Sequence, residues 1–265
     1  MMEAPDLSIL AERPRTLAMP RRRVVNVYLE EVRSECLRYL RNPGFMLPTL
    51  LFPTVFYLMF GVFLARQGDE AARYLLASYG TFAVMAPGLF GFGVSIAMER
   101  ENGQLTLRRA LPAPPIAYLL GKMAMAMLVA AGVLTLLTLL AVFVAHVPLT
   151  GLQIANLFAT NVPGTLPFCA LGLLIGTLVK GQAAPAVINM LYLPMAFLSG
   201  LWFPLQALPK AIQAIAPALP SYHLNALALD AVDIAHTDAL PHVAVLAAFT
   251  VGALWLAARR LRKVG

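Results

Sequence analysis

The side chains able to do chemistry in this chain are few, and their spacing rules out more than it suggests. His146, His223, His236 and His242 show neither H-E-x-x-H nor a comparable spacing that would put two imidazoles on one metal ion. A phosphate cradle requires G-x-x-x-x-G-K-[ST]. The Gly121-Lys122 pair ahead of an apolar run is followed by Met123 and lacks the upstream glycine, so the sequence carries no such loop. Gly93-Val94-Ser95-Ile96 has the G-x-S form seen in intramembrane serine proteases. The same region, with Gly88, Gly91, Gly93 and Ser95 close together, reads far better as a small-residue stripe for helix packing. The uncharged polar groups are more numerous: Thr49, Thr54 and Tyr57, then Asn161 and Thr165, then Asn189, Tyr192 and Ser199. All of them lie inside long apolar stretches, where an amide or hydroxyl needs a partner or a wet path.

Those stretches define the elements. The chain has 265 residues, 60% hydrophobic and 12% charged, against about 25% charged for a soluble domain. Six windows hold no Lys, Arg, Asp or Glu: 44–65, 75–98, 123–145, 157–179, 183–201 and 241–258. Each matches the roughly 17–25 residues that carry a helix across about 30 Å of hydrocarbon. The reading is an all-α integral membrane protein with six transmembrane helices, residues 44–258.

Placing the N-terminus in the cytoplasm puts 17 Lys and Arg residues inside and three outside, which are Arg66, Arg73 and Lys210. That asymmetry orients the protein with both termini cytoplasmic, and makes the net charge of +7 a topology signal rather than a nucleic-acid footprint. The first apolar run starts only at Gly44 and ends in no small-residue cleavage pattern, so no cleavable signal peptide is expected. Cys36 and Cys169 would sit at different depths, and both are expected as free thiols.

Outside the spans, residues 1–23 read as a polar cytoplasmic tail ending in Arg21-Arg22-Arg23. Residues 24–43 read as an amphipathic interfacial helix. Val25, Tyr28, Leu29, Val32, Cys36, Tyr39 and Leu40 make its apolar face, and Glu30, Glu31, Arg33, Glu35, Arg38 and Arg41 its polar face. Lys122 stands at a membrane edge, where a lysine is expected to snorkel. Pro48, Pro53, Pro163, Pro167, Pro185 and Pro194 are expected to kink their spans. The proline-broken apolar segment 202–240 reads as short re-entrant or interfacial helices before the last span. Residues 259–265 form a basic cytoplasmic C-terminus.

Two stretches resemble a known family. Met98-Glu99-Arg100-Glu101-Asn102-Gly103-Gln104-Leu105, running to Pro112 and then Leu119-Leu120-Gly121-Lys122, is similar to the cytoplasmic loop of type-2 ATP-binding-cassette exporter permeases. Phe197-Leu198-Ser199-Gly200-Leu201-Trp202-Phe203-Pro204-Leu205, followed by Leu208-Pro209 and Leu219-Pro220, resembles that family's stretch after the fifth span. The sequence departs from the family pattern at Gln104 and Thr106 and at Arg108-Arg109, which stand where the family has apolar residues.

The resemblance implies an ABC transporter permease of the inner membrane of a bacterium. It would not be an enzyme itself, and would work as a homodimer, or paired with a similar permease, on two cytoplasmic ABC ATPase subunits. ATP and Mg would be bound by the partner ATPase, with no cofactor in this chain. Glu99, Arg100, Glu101, Gly103, Leu105 and Arg108 would form the coupling helix on the ATPase, and Glu30, Glu31, Arg33 and Arg38 a second contact. Thr49, Thr54, Tyr57, Asn189, Tyr192 and Ser199, on the first and fifth spans, are the pathway candidates. The substrate expected is hydrophobic, amphipathic or glycan-type. The alternative is an ATP-independent secondary transporter or channel, which would leave charged groups inside the spans.

Overall fold

The computed structural model describes residues 21–62, 68–105, 107 and 115–264. Among them every regular element is helical. In chain order these are α1 (Arg21–Leu40), α2 (Pro43–Phe56), α3 (Asp69–Ala86), α4 (Gly93–Glu101), α5 (Pro115–Phe143) and α6 (Gly151–Asn161). They are followed by α7 (Leu166–Leu178), α8 (Ala184–Leu198), α9 (Lys210–Ile215), α10 (Pro220–Ala231) and α11 (Ala239–Val264).

Four continuous apolar rods are long enough to cross a bilayer: Asp69–Glu101, Ile116–Phe143, Gly151–Leu178 and Ala239–Arg260. Two shorter apolar helices, Met46–Gly61 and Ala184–Leu198, occupy the first and fifth windows. At 1.5 Å per residue, the 15-residue α8 spans only about 22 Å, short of the hydrocarbon thickness.

The rod 69–101 is the hub. Its apolar stretch is 83% buried within the protein, whereas that of α11 is only 11% buried. Tyr79, Phe82, Met85 and Leu89 of the hub are fully enclosed along with Leu134 and Leu137 of α5, Phe168 of α7 and Ile188 of α8. Leu240, Val243, Val251 and Trp255 of α11 point away from the protein, as lipid-facing side chains must.

Prolines act in two ways. Pro163 separates α6 from α7 through a 3-10 turn, and Pro48, Pro53 and Pro194 lie within helices. Pro167 and Pro185, expected as kinks, instead sit in the first turns of α7 and α8, where the missing N–H has no intrahelical partner to lose. The hub widens into a π-helical stretch at Pro87–Phe92 before continuing as α4.

The small-residue stripe is a packing surface. A methyl group on Gly88 would stand 2.8 Å from Phe168 Cβ, and one on Gly172 would stand 2.7 Å from the Gly88 carbonyl oxygen. Gly176 would meet Gly93 O at 2.7 Å, so α7 and the hub are in backbone contact along two turns. Asn161 on this rod accepts from Thr81 at 3.2 Å and donates to the Leu157 carbonyl at 3.1 Å, so the intramembrane amide is satisfied by a neighbouring helix. Cys36 and Cys169 are both free.

Candidate functional site: a buried charge clasp and an interhelical pocket

Lys122 begins the long apolar part of α5, yet its side chain is fully buried. Its ammonium donates to Glu35 Oε2 at 2.8 Å, to Ser95 Oγ at 2.8 Å and to Glu99 Oε1 at 3.0 Å. Three acceptors match the three N–H groups of a lysine. Arg38 is paired with Glu99 and lies 3.5 Å from Glu35 Oε1, and Tyr118 donates to Glu99 Oε2. Lys122 also lies 5.0 Å from the centre of the Tyr118 ring. Two cations and two carboxylates make the cluster neutral, which is the condition for keeping charges out of water. The cluster joins α1, α4 and α5.

Two sequence expectations are corrected here. Lys122 does not snorkel, because two carboxylates and a hydroxyl already satisfy its ammonium. Glu35, placed on the solvent face of the interfacial helix, is 2% exposed and faces α5. The face of α1 that packs on the protein carries Tyr28, Glu31, Glu35 and Tyr39, and Gly121 lets α5 approach the Glu31 backbone: a methyl there would stand 3.2 Å from the Glu31 carbonyl carbon. The apolar residues Val25, Leu29 and Leu40 are exposed on an adjacent strip, and Glu30 and Arg33 pair across 3.5 Å on the outermost face. Burial, followed by the negative charge of Glu35, pushes the Cys36 thiol pKa up.

The neighbouring residues tie in a further pair of helices. Arg100 donates to the Thr177 carbonyl and, at 2.8 Å, to the Val179 carbonyl, capping the C-terminal end of α7, where carbonyls lack intrahelical partners. Glu101 Oε2 accepts from the Gly181 N–H at 2.7 Å, in the turn between α7 and α8. A methyl on Gly181 would stand 2.6 Å from that oxygen. The chain then turns at Asn102-Gly103, with Gly103 at φ +71°. Glu99, Arg100 and Glu101 thus all make contacts within the chain. Leu105 is partly buried, Met98 is exposed, and Arg108, Arg109, Leu111 and Pro112 lie outside the described residues.

Ser95 is no nucleophile in this arrangement. Its hydroxyl bonds the Gly91 carbonyl at 2.7 Å and accepts from a lysine that has no lone pair to offer it. Among the described residues no group of three or more His, Cys, Asp or Glu is placed to hold a metal.

The pathway candidates divide into two groups. Thr49, Asn189 and Tyr192 line one pocket of about 400 Å³ between α2 and α8, with Pro48, Phe52, Phe90 and Pro185. Tyr192 donates to the Phe82 carbonyl at 3.0 Å and stacks on the Phe82 ring at 4.7 Å. Thr54 is turned to its own helix, donating to Leu50 O at 2.6 Å. Tyr57 is fully enclosed, and Ser199 shares a hydrogen with Ser221 at 2.5 Å in the interior. Phe52 and Phe90 wall the same space, which nothing in their spacing signals.

Long apolar rods, with a neutral buried ion cluster at one end and an apolar pocket between two shorter helices, describe a protein built to sit across a membrane. Comparison with known proteins agrees. Residues 30–231 match the ABC-2 type transporter family, and the chain belongs to that family. It is 30% identical over 204 residues to "Putative transport permease YvfS" of Bacillus subtilis (strain 168), covering 76% of this chain and 83% of that protein.

Proposed function

We propose that the chain is the permease subunit of an ATP-driven exporter in a bacterial inner membrane. Six spans place both termini in the cytoplasm, α9 and α10 dip into the outer leaflet, and two permease chains work on two separate ATPase subunits that bind ATP and Mg. Family membership, the sixfold pattern of apolar windows and the basic-residue asymmetry support this reading.

The observation that carries the mechanism is the Lys122 clasp. It bonds the surface helix to the cytoplasmic ends of the second and third spans, while Arg100 and Glu101 bond the second span to the turn between α7 and α8. A push from an ATPase on α1, or on the loop that follows Glu101, therefore moves several spans as one body. Charged side chains that are buried and ion-paired are stiff couplers, since separating them exposes ions to hydrocarbon. The exposed Glu30 and Arg33, with the turn at Gly103 and Leu105, remain free to meet the ATPase.

Under this push α2 and α8 change their spacing, opening or closing the pocket lined by Thr49, Asn189 and Tyr192 to an apolar or amphipathic substrate. Differential binding of ATP to the two states supplies the drive. The test is labelling of Asn189→Cys, in a chain otherwise free of cysteine, within proteoliposomes holding the ATPase. The expected result is a severalfold change in labelling rate on adding ATP and Mg. An identical rate with and without nucleotide would count against the pocket as the moving path.

A further inference from the structure

A second pocket, of about 500 Å³, lies at the end of the bundle opposite the charge clasp. Phe56 and Phe60 from the end of the first span, Tyr74 and Tyr79 from the first turns of the hub, and Trp202 and Phe203 from the segment after α8 line it. The aromatic wall is held in place. The Phe56 and Trp202 rings stack at 6.2 Å, Phe82 meets Trp202 edge-on at 5.8 Å, and Tyr74 OH donates to the Gly200 carbonyl at 2.7 Å. Gly200 itself takes φ +76°, the left-handed turn that swings Trp202 and Phe203 back over the pocket.

Six of the residues lining this space are aromatic, so their π systems dominate its walls. Among the described residues Glu70, on the first turn of α3, is the charged residue of the lining; it is exposed and makes no ion pair with another described residue. Arg73, one turn further on, is not part of the lining. Aromatic faces attract cations through their quadrupole, and a carboxylate at the rim adds charge of the same preference.

We propose that this pocket binds a lipophilic quaternary or alkylated ammonium cation, apolar body against the rings and charge toward Glu70. The inference rests on the permease reading for its physiological meaning, as the substrate class, but the site itself stands on its own lining. It is distinct from the α2–α8 pocket, which no charged side chain lines among the described residues.

The experiment uses the full chain in nanodiscs. Trp255→Phe leaves Trp202 as the sole tryptophan, since the chain has two. Trp202 emission is titrated with benzyltrimethylammonium and with neopentylbenzene, its uncharged isostere, each read against empty nanodiscs. The cation is expected to bind at least fivefold more tightly than the isostere. Glu70→Gln should weaken the cation about threefold, the scale of an exposed ion pair, and leave the isostere unchanged. Phe60→Leu keeps the apolar surface and should also reduce the preference for the cation. Equal binding of cation and isostere would overturn the proposal, as would a preference that survives both substitutions. No ATPase takes part in this titration. A chain that selects the cation but recruits no ATPase would defeat the ATP-driven reading alone, and one that recruits ATPase without cation selectivity would defeat only this site.

Discussion

Lys122→Met is the sharpest test of the clasp. The substitution keeps the length and apolar stem of the side chain while removing its charge and all three of its donors. Glu35, 2% exposed, and Glu99, 4% exposed, would then share Arg38 as their cation among the described residues, with its side chain 45% exposed, while Tyr118 still donates to Glu99. Removing one partner of a buried ion pair costs about 3–5 kcal/mol, mostly from the carboxylate left uncompensated. Lys210→Met, at an exposed lysine in α9, should stay within about 0.5 kcal/mol of the parent.

Stability would be read by unfolding in mixed micelles of mild and denaturing detergent. A double-mutant cycle with Glu35→Gln isolates the pairwise term, and a coupling of roughly 1–3 kcal/mol is expected for side chains in one network. A Lys122→Met cost below about 1 kcal/mol, indistinguishable from the Lys210 control, would mean that Lys122 reaches the interface instead. The clasp would then be refuted.

Other consequences follow from the same contacts. Gly172→Val drives a branched side chain into the Gly88 carbonyl, already 2.7 Å from a single methyl; it should cost at least about 2 kcal/mol by the same unfolding assay, while Gly252→Ala, with nothing within 4 Å, should be silent. Arg100→Ala strips the cap from α7, and hydrogen exchange at 180–183 should speed up while that of α5 is unchanged. For Cys36, the raised thiol pKa lowers the thiolate fraction at neutral pH. Maleimide labelling should be slow in the parent chain and faster in Glu35→Gln, and an unchanged rate would place the carboxylate elsewhere.

The apolar rods were legible because hydrocarbon imposes length and excludes charge, a constraint each window records separately. The stripe Gly88, Gly91, Gly93 and Ser95 marked a packing face of the hub for the same kind of reason, since only small residues permit close approach, but not that α7 is its partner. The family was legible in two short motifs, Glu99-Arg100-Glu101-Asn102-Gly103 and the run to Trp202-Phe203-Pro204, and the comparison bears it out. The clasp was not. A helical wheel sorts Glu35 with the charged residues, but it cannot show that Lys122 and Glu99, 87 and 64 positions away, turn that face inward. The available signal was the offset of the polar stripe: Glu31 and Glu35 sit between Tyr28 and Tyr39, not opposite them. Likewise Thr54, Tyr57 and Ser199 looked equivalent to Thr49 and Asn189 in composition, and only the rotation of α2 and α8 separates those facing the pocket from those facing the core.

Whether this chain works on an ATPase is settled most directly by isolating it from its native membrane in mild detergent and weighing what accompanies it. The account predicts a soluble nucleotide-binding subunit in one-to-one ratio with the permease. It should be lost when Glu30→Arg and Arg33→Glu invert the outer charge pair of α1 without removing it. A permease that remains alone after gentle cross-linking, with no nucleotide-binding partner, would contradict the account and leave an ATP-independent transporter or channel in its place.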